Sequence, residues 1–110
     1  MEIMAHLKRV ITSVKIESQY LGIFYEDIWY QEDIAAIQQS LLSMVKEAKV
    51  VEKIFGADRE NIRFIWKNQY HFVLNFDCYS QSCWLEAEDD LSFKHLLSLA
   101  EQIKETLGIG

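Results

Sequence analysis

Two cysteines in the stretch DCYSQSCWLE are the residues of this sequence with the clearest capacity for redox or metal chemistry. Cys78 and Cys83 could form a disulfide, a redox pair or half of a metal site. A structural zinc site usually needs two pairs of ligands, each about two to four residues apart. The sequence contains no second pair of cysteines. Free cysteine is among the most frequently buried residue types, so we expect two reduced thiols that face the core of a hairpin.

Three acidic residues around the same hairpin offer a second kind of chemistry. Asp77, Glu86 and Glu88 are predicted to share one face of the paired strands, with Asn75 and His71 nearby. Carboxylate clusters bind hard cations and can supply a general acid and base. Acids on a solvated outer face are the commoner case. We predict no catalytic residue, no metal ligand and no cofactor, and keep an enzyme or metal site at these three acids as an alternative.

Other signals of catalysis or nucleic-acid binding are missing from the sequence. His6, His71 and His95 are dispersed, and no G-x-S-x-G or H-E-x-x-H motif accompanies them. The 17 acidic and 11 basic residues give a net charge of −6, and no basic run is longer than Lys8 and Arg9. Proteins that bind phosphate backbones or anionic membranes normally present a basic patch. Nucleic acids and membranes are therefore not expected as partners.

The spacing of apolar residues predicts the elements that position these side chains. Apolar residues recur every three or four positions from Ile34 to Ala48, after a possible N-cap at Asp33, and again from Phe93 to Leu107. This spacing is typical of amphipathic helices. Asp89 and Asp90 lie where negative charge favours the start of the second helix, and Gly108 follows it as an expected C-terminal cap.

Between the helices the apolar spacing changes to two, which predicts strands. A three-residue loop at 67–69 places Trp66 opposite Tyr70. A four-residue loop at 79–82 places Cys78 opposite Cys83 and keeps both faces chemically coherent. The segment KVVEKIF before Gly56 adds a further strand. The N-terminal third is predicted to form a hairpin that turns near residues 18–19, while residues 2–11 fit either a helix or a strand.

These elements predict one α+β domain over residues 1–110. Its antiparallel sheet has five to six strands with two helices on one face, in the order ββ-α-ββββ-α. The other face is left as a potential interaction surface, because apolar and aromatic groups there lack cover from helices. The residues predicted to form it are Ile65, His71, Val73, Asn75, Asp77, Trp84, Glu86 and Glu88.

The run NFDCYSQSCWLEAEDD, followed by a closing amphipathic helix, resembles a family of short gammaproteobacterial proteins known as domain-of-unknown-function family 3630. The specific part of the resemblance is Tyr-Ser-x-Ser-x-Trp-Leu-Glu, which extends here from Tyr79 to Glu86. The likeness covers roughly residues 10 to 107, and neither cysteine is a fixed residue of the motif. The resemblance implies the fold and a cytosolic bacterial protein, and the family carries no assigned activity.

The sequence is best interpreted as a small acidic interaction module without catalysis, which uses the outer sheet face. Its N-terminus lacks the features of a signal peptide, and no apolar run approaches the ~20 residues that cross a membrane, so we expect a cytoplasmic protein. The partner is expected to be another protein or a second copy in a homodimer. The alternative is an immunity-type inhibitor or a secretion-chaperone-like protein that binds a basic partner.

Overall fold

A six-stranded antiparallel sheet dominates the computed structural model, which describes residues 10–109. In space the strands are ordered β1-β2-β6-β5-β4-β3, so pairing of β2 with β6 joins the N-terminal hairpin to the four-stranded meander. The predicted α+β class with an antiparallel sheet is confirmed. The strands are β1 (Ile11–Ile16), β2 (Tyr20–Tyr25), β3 (Ala48–Phe55), β4 (Arg59–Trp66), β5 (Tyr70–Asp77) and β6 (Ser82–Ala87).

The helices follow β2 and β6. A 3-10 turn at Gln31–Asp33 leads into α1 (Ile34–Ser43), and the chain closes with α2 (Asp90–Phe93) and α3 (Leu96–Leu107). All three helices contribute buried residues, and the buried faces of α1 and α3 join the single apolar core on one side of the sheet. None of them is long and apolar enough to cross a membrane.

The first helix is shorter than its apolar spacing predicts. It ends at Ser43, and Ala48 is already the first residue of β3. The helical spacing continues because Val45 still packs into the core from the connecting turn. Glu47 then adopts a left-handed φ of 65°, and its carbonyl accepts the N–H of Lys67, which sends the chain into the sheet. The predicted extension of the helix to Ala48 is therefore wrong.

The closing helix is split into two parts that the sequence predicted as one. Asp89 caps α2 by accepting the backbone N–H of Ser92. The buried hydroxyl of Ser92 in turn accepts the N–H of His71 on β5, at 2.7 Å between nitrogen and oxygen. This hydrogen bond holds α2 against the end of the sheet, and α3 begins as a separate helix at Leu96. Phe93 and Leu97, which were expected in the apolar stripe, are exposed as a result.

The C-terminal cap of the last helix is as the sequence predicted, whereas the predicted cap of α1 is not. Gly108 ends α3 with a left-handed φ of 74°, as predicted from its position after the last apolar residue. Asp33 holds the predicted position directly before α1, but its side chain makes no capping hydrogen bond to that helix; its carboxylate accepts the backbone N–H of Tyr30 at 2.8 Å, at the start of the 3-10 turn.

The register of the β4–β5 hairpin is as predicted. Trp66 pairs with Tyr70 and Phe64 with Phe72. The loop is possible because Lys67 and Asn68 both adopt left-handed backbone angles, with φ values of 55° and 61°. The N-terminal hairpin also turns where predicted, between Ile16 and Tyr20. Whether residues 2–9 form a helix or a strand lies outside the described residues.

The register of the β5–β6 hairpin differs from the predicted one by two residues. Phe76, not Cys78, pairs with Cys83, and Asp77 pairs with Ser82. The loop starts earlier because the Asp77 carboxylate accepts the backbone N–H groups of Tyr79 and Ser80, which forms the turn directly after that residue. Because side chains alternate with a period of two, this shift leaves every residue of β6 on its predicted face.

The core lies between the sheet and the helices, and its most unexpected member comes from a loop. Trp29 precedes α1 and is only 1% exposed. Its ring meets Phe76 edge-on, with 5.7 Å between ring centroids. The side chain of Gln81 accepts the backbone N–H of Trp29 and donates to its carbonyl. This pair of hydrogen bonds joins the β2–α1 loop to the β5–β6 turn.

Candidate functional site

The outer face of the sheet carries all of the side chains that the sequence predicted for an interaction surface. Ladder partners place Ile65 beside His71, Val73 beside Glu86, and Asn75 beside Trp84. The register predicted from the sequence had set Asn75 opposite Glu86 and Val73 opposite Glu88, so the face is right and the neighbours are different. No contact with α1 or α3 is found for these side chains among the described hydrogen bonds and ion pairs.

The three predicted acids do not form one cluster. Asp77 pairs with Arg59 at 3.3 Å and lies at the end of β5 far from Glu88, which is bound to Arg63 at 2.8 Å. Along the ladder these two acids are separated by about six residues, or roughly 20 Å. Glu86 has different partners again. Residues 10–109 contain no group of three or more histidines, cysteines and acids that could hold a metal ion.

A chain of hydrogen bonds across the outer face holds the carboxylate of Glu86 in place. Asn61 donates to the side-chain oxygen of Asn75, and Asn75 donates to Oε2 of Glu86 at 3.0 Å. The indole Nε1 of Trp84 donates to the same oxygen at 2.8 Å. Asn75 is only 5% exposed, so this network is well shielded on one side. Within the described part of the chain, no donor contacts Oε1 of Glu86.

An aromatic cleft lies beside this carboxylate. Tyr20 and Phe24 project from β2 on the outer face, on either side of Gly22, which pairs with Trp84 of β6. The cleft has a volume of about 700 Å³, within the range of roughly 300–1,000 Å³ typical of ligand sites. We call it the outer cleft, and it is lined by Tyr20, Gly22, Ile23, Phe24, Ser80, Gln81, Ser82, Cys83, Trp84 and Glu86.

The glycine at the floor of the outer cleft allows the ring of Phe24 to pack closely over the strand. A Cβ atom at Gly22 would approach the ring of Phe24 to 3.0 Å. The absence of a side chain there lets the phenyl ring lean over the strand, and it leaves open space opposite Trp84. Sequence analysis did not select Tyr20, Gly22 or Phe24. The available signal was the alternation in YLGIFY, which puts these three on one face and Leu21 and Ile23 on the other.

The two cysteines are both free thiols. Cys83 is buried in the core, and burial raises the pKa of its thiol well above the ordinary range. Cys78 lies half-buried in the turn, where its Sγ donates to Oε1 of Gln31 at 3.2 Å. Partial burial raises its pKa first, and the carboxylates of Asp58 and Asp77 raise it further. Thiols kept protonated in this way are poor nucleophiles and poor metal ligands.

The histidines do not join the thiols. His71 lies half-buried on the outer face, and His95 stacks on Tyr70 with 4.0 Å between ring centroids. The first residue of the predicted set, His6, lies outside the described residues. Neither His71 nor His95 therefore lies together with a nucleophile and an orienting acid, as a catalytic triad would require.

The edge of the sheet at β3 is another exposed apolar feature. On β3, the side chains of Val51, Ile54 and Phe55 are exposed, and the strand pairs only with β4. A register shift between Val50 and Glu52 interrupts its ladder, and Lys49 and Lys53 are exposed beside it. A bulge and lysines are the usual means by which a sheet edge is protected against further pairing.

Comparison with known proteins identifies the family of this chain. Neither a curated protein nor a solved structure matches this chain. A family model described as "Protein of unknown function (DUF3630)" matches residues 11–104. The match extends from the first residue of β1 through all six strands and into α3, and it includes the predicted motif between Tyr79 and Glu86. The chain therefore belongs to the DUF3630 family of proteins of unknown function.

Proposed function

We propose that this protein is a non-catalytic binding module that holds a partner protein against the outer face of its sheet. The observation that supports this proposal is the outer cleft itself. The helices pack on the opposite face, and the aromatic rings of Phe24 and Tyr20 stay 44% and 39% exposed. Exposed aromatic groups around a concave surface are characteristic of protein interfaces.

The geometry of the cleft favours binding at a low entropic cost. Gly22 and the ladder partners of β2 and β6 fix the backbone, and Glu86 holds the indole of Trp84 through its Nε1. Side chains that are ordered before association lose less conformational freedom on binding. Tryptophan and tyrosine are also the residue types that most often dominate the binding energy of an interface.

Substitution of Phe24 tests this function. We expect Phe24→Ala to weaken retention of a partner about tenfold, because truncation of a central aromatic contact usually costs more than 1 kcal/mol. The measurement is a pull-down from native lysate with the wild type, Phe24→Ala and Phe55→Ala, followed by titration of the retained protein. Phe55 is the matched control, since it is 68% exposed on the distant strand β3.

The outcomes distinguish specific binding in the outer cleft from non-specific adsorption to exposed apolar side chains. A partner that Phe55→Ala retains and Phe24→Ala loses supports the proposal. Equal retention by both variants, or equal loss, contradicts it. Sedimentation of the wild type extends the test to a homodimer, because a dimer that Phe24→Ala converts to monomers would identify a second copy as the partner.

A further inference from the structure

We infer that the outer cleft recognises an arginine or lysine side chain within an extended basic segment of the partner, an inference that rests on the proposed function. Its first support is the combination of groups in the cleft. The rings of Phe24, Tyr20 and Trp84 lie beside the carboxylate of Glu86. Aromatic faces attract cations through their quadrupole, and a carboxylate supplies the opposing charge and a hydrogen-bond acceptor.

The orientation of Glu86 is the second support. Its Oε2 already accepts from Asn75 and from the indole of Trp84, at 3.0 and 2.8 Å. Both donors fix the plane of the carboxylate and leave Oε1 without a donor among residues 10–109. A charged donor from outside can therefore bind Oε1 without displacing a contact of the folded chain. The guanidinium of arginine suits this acceptor, because it can donate to the carboxylate while its plane lies on an aromatic ring.

Charge complementarity along the sheet is the third support. A second depression of about 480 Å³ adjoins the outer cleft and shares Tyr20 and Glu86 with it. The two depressions together are lined by four acids and by no lysine or arginine; the acids are Glu86, Glu88, Asp89 and Asp90, of which Glu88 is already paired with Arg63. Hydrogen bonds from Ser92 hold the pKa of Asp89 below its usual range, which keeps that carboxylate charged.

The length of this acidic surface indicates an extended segment as the ligand. From Ser82 to Glu88 it follows β6 over about six residues, or roughly 20 Å. An extended peptide of similar length would span it, with one basic side chain in the outer cleft and others toward Asp89 and Asp90.

The folded chain already contains a cation beside one of these rings. The ammonium of Lys15, on the neighbouring strand β1, lies 5.9 Å from the centre of the Phe24 ring. This contact shows that the exposed phenyl face accepts a positive charge. It also means that Lys15 repels an incoming basic side chain, so its removal should strengthen binding.

The test uses a short Gly/Ser peptide that carries arginines, the same peptide with citrulline in place of arginine, and one with glutamate. Citrulline keeps the shape and removes the charge. We expect only the arginine peptide to bind the wild type. Glu86→Gln keeps an acceptor for Trp84 and should weaken binding by about tenfold or more, because hydrogen bonds between two charged groups are stronger than those to a neutral amide. Glu101→Gln, exposed on α3, is the charge-matched control and should leave the affinity unchanged.

A third variant gives an effect of opposite sign. Lys15→Ala should tighten binding of the arginine peptide about two- to fivefold, which matches the strength of an exposed cation–aromatic contact. Equal binding of the arginine and citrulline peptides, no peptide binding at all, or equal effects of Glu86→Gln and Glu101→Gln would overturn the inference. If retention of the partner in the pull-down still depends on Phe24 under those outcomes, the proposed binding function is supported and only the inference of a basic ligand is contradicted.

Discussion

Replacement of Trp29 by alanine is expected to lower the free energy of unfolding by about 3–5 kcal/mol, the usual cost of truncating a buried aromatic residue. Trp29 is 1% exposed and contacts Phe76 from a loop that contains no other anchor of this size. The variant leaves a cavity, and it also loosens the contact between that loop and Gln81, whose side chain binds both backbone groups of Trp29. Urea denaturation followed by circular dichroism measures the loss.

Ile28 provides the matched control for this experiment. It is the preceding residue of the same loop and is 63% exposed. Ile28→Ala should therefore change the free energy of unfolding by no more than about 0.5 kcal/mol, as is usual for surface substitutions. A similar loss in both variants would show that the loop does not bury Trp29 in the core as described.

The second large effect concerns alkaline pH and the buried thiol of Cys83. The unfolded chain releases this proton as the pH passes about 8.5, whereas burial raises the pKa in the folded protein. Ionisation then stabilises only the unfolded state. The contribution of the neutral Cys83 thiol to the free energy of unfolding is therefore complete below about pH 8.5 and is lost as the pH rises above that value. The slope is about 1.4 kcal/mol per pH unit, which gives roughly 2 kcal/mol between about pH 8.5 and about pH 10.

Comparison with Cys83→Ala measures this contribution, since Cys78 is present in both proteins and the pKa of Tyr25 is raised mainly by burial and only secondarily by the charge of Cys83. At neutral pH the variant should be less stable by about 1 kcal/mol, owing to lost packing. Near pH 10 it should be the more stable protein, because the thiol penalty is gone. Denaturant midpoints that fall in parallel for both proteins between neutral and alkaline pH would contradict a fully buried thiol at this position.

Local signals in the sequence were sufficient for some parts of the fold and not for others. The β4–β5 register could be predicted because a loop that tolerates left-handed angles at Asn68 sets it directly. The β5–β6 register could not, since Asp77 binds two backbone N–H groups and starts the turn one residue earlier than apolar pairing alone indicates, which shifts the pairing by two residues. The hydrogen-bonding choice of one side chain is not visible in a pattern of apolar residues.

The outer face was predictable as a surface, whereas the outer cleft was not. Trp84 and Glu86 follow from the alternation of β6, which is unchanged by a shift of two residues. Tyr20 and Phe24 reach the same place only because β2 pairs with β6, about sixty residues later in the chain. No turn joins these two strands, so their pairing depends on long-range packing of the whole sheet.

The central claim, that a basic side chain binds in the outer cleft, is tested most directly by the indole N–H signals in a ¹H–¹⁵N spectrum. The tryptophans give one signal each, assigned with Trp84→Phe, and the buried Trp29 and Trp66 serve as internal references. Addition of the arginine peptide should shift the signal of Trp84, whose Nε1 donates to Glu86, and leave the other two in place. An unchanged Trp84 signal at saturating peptide would contradict the account.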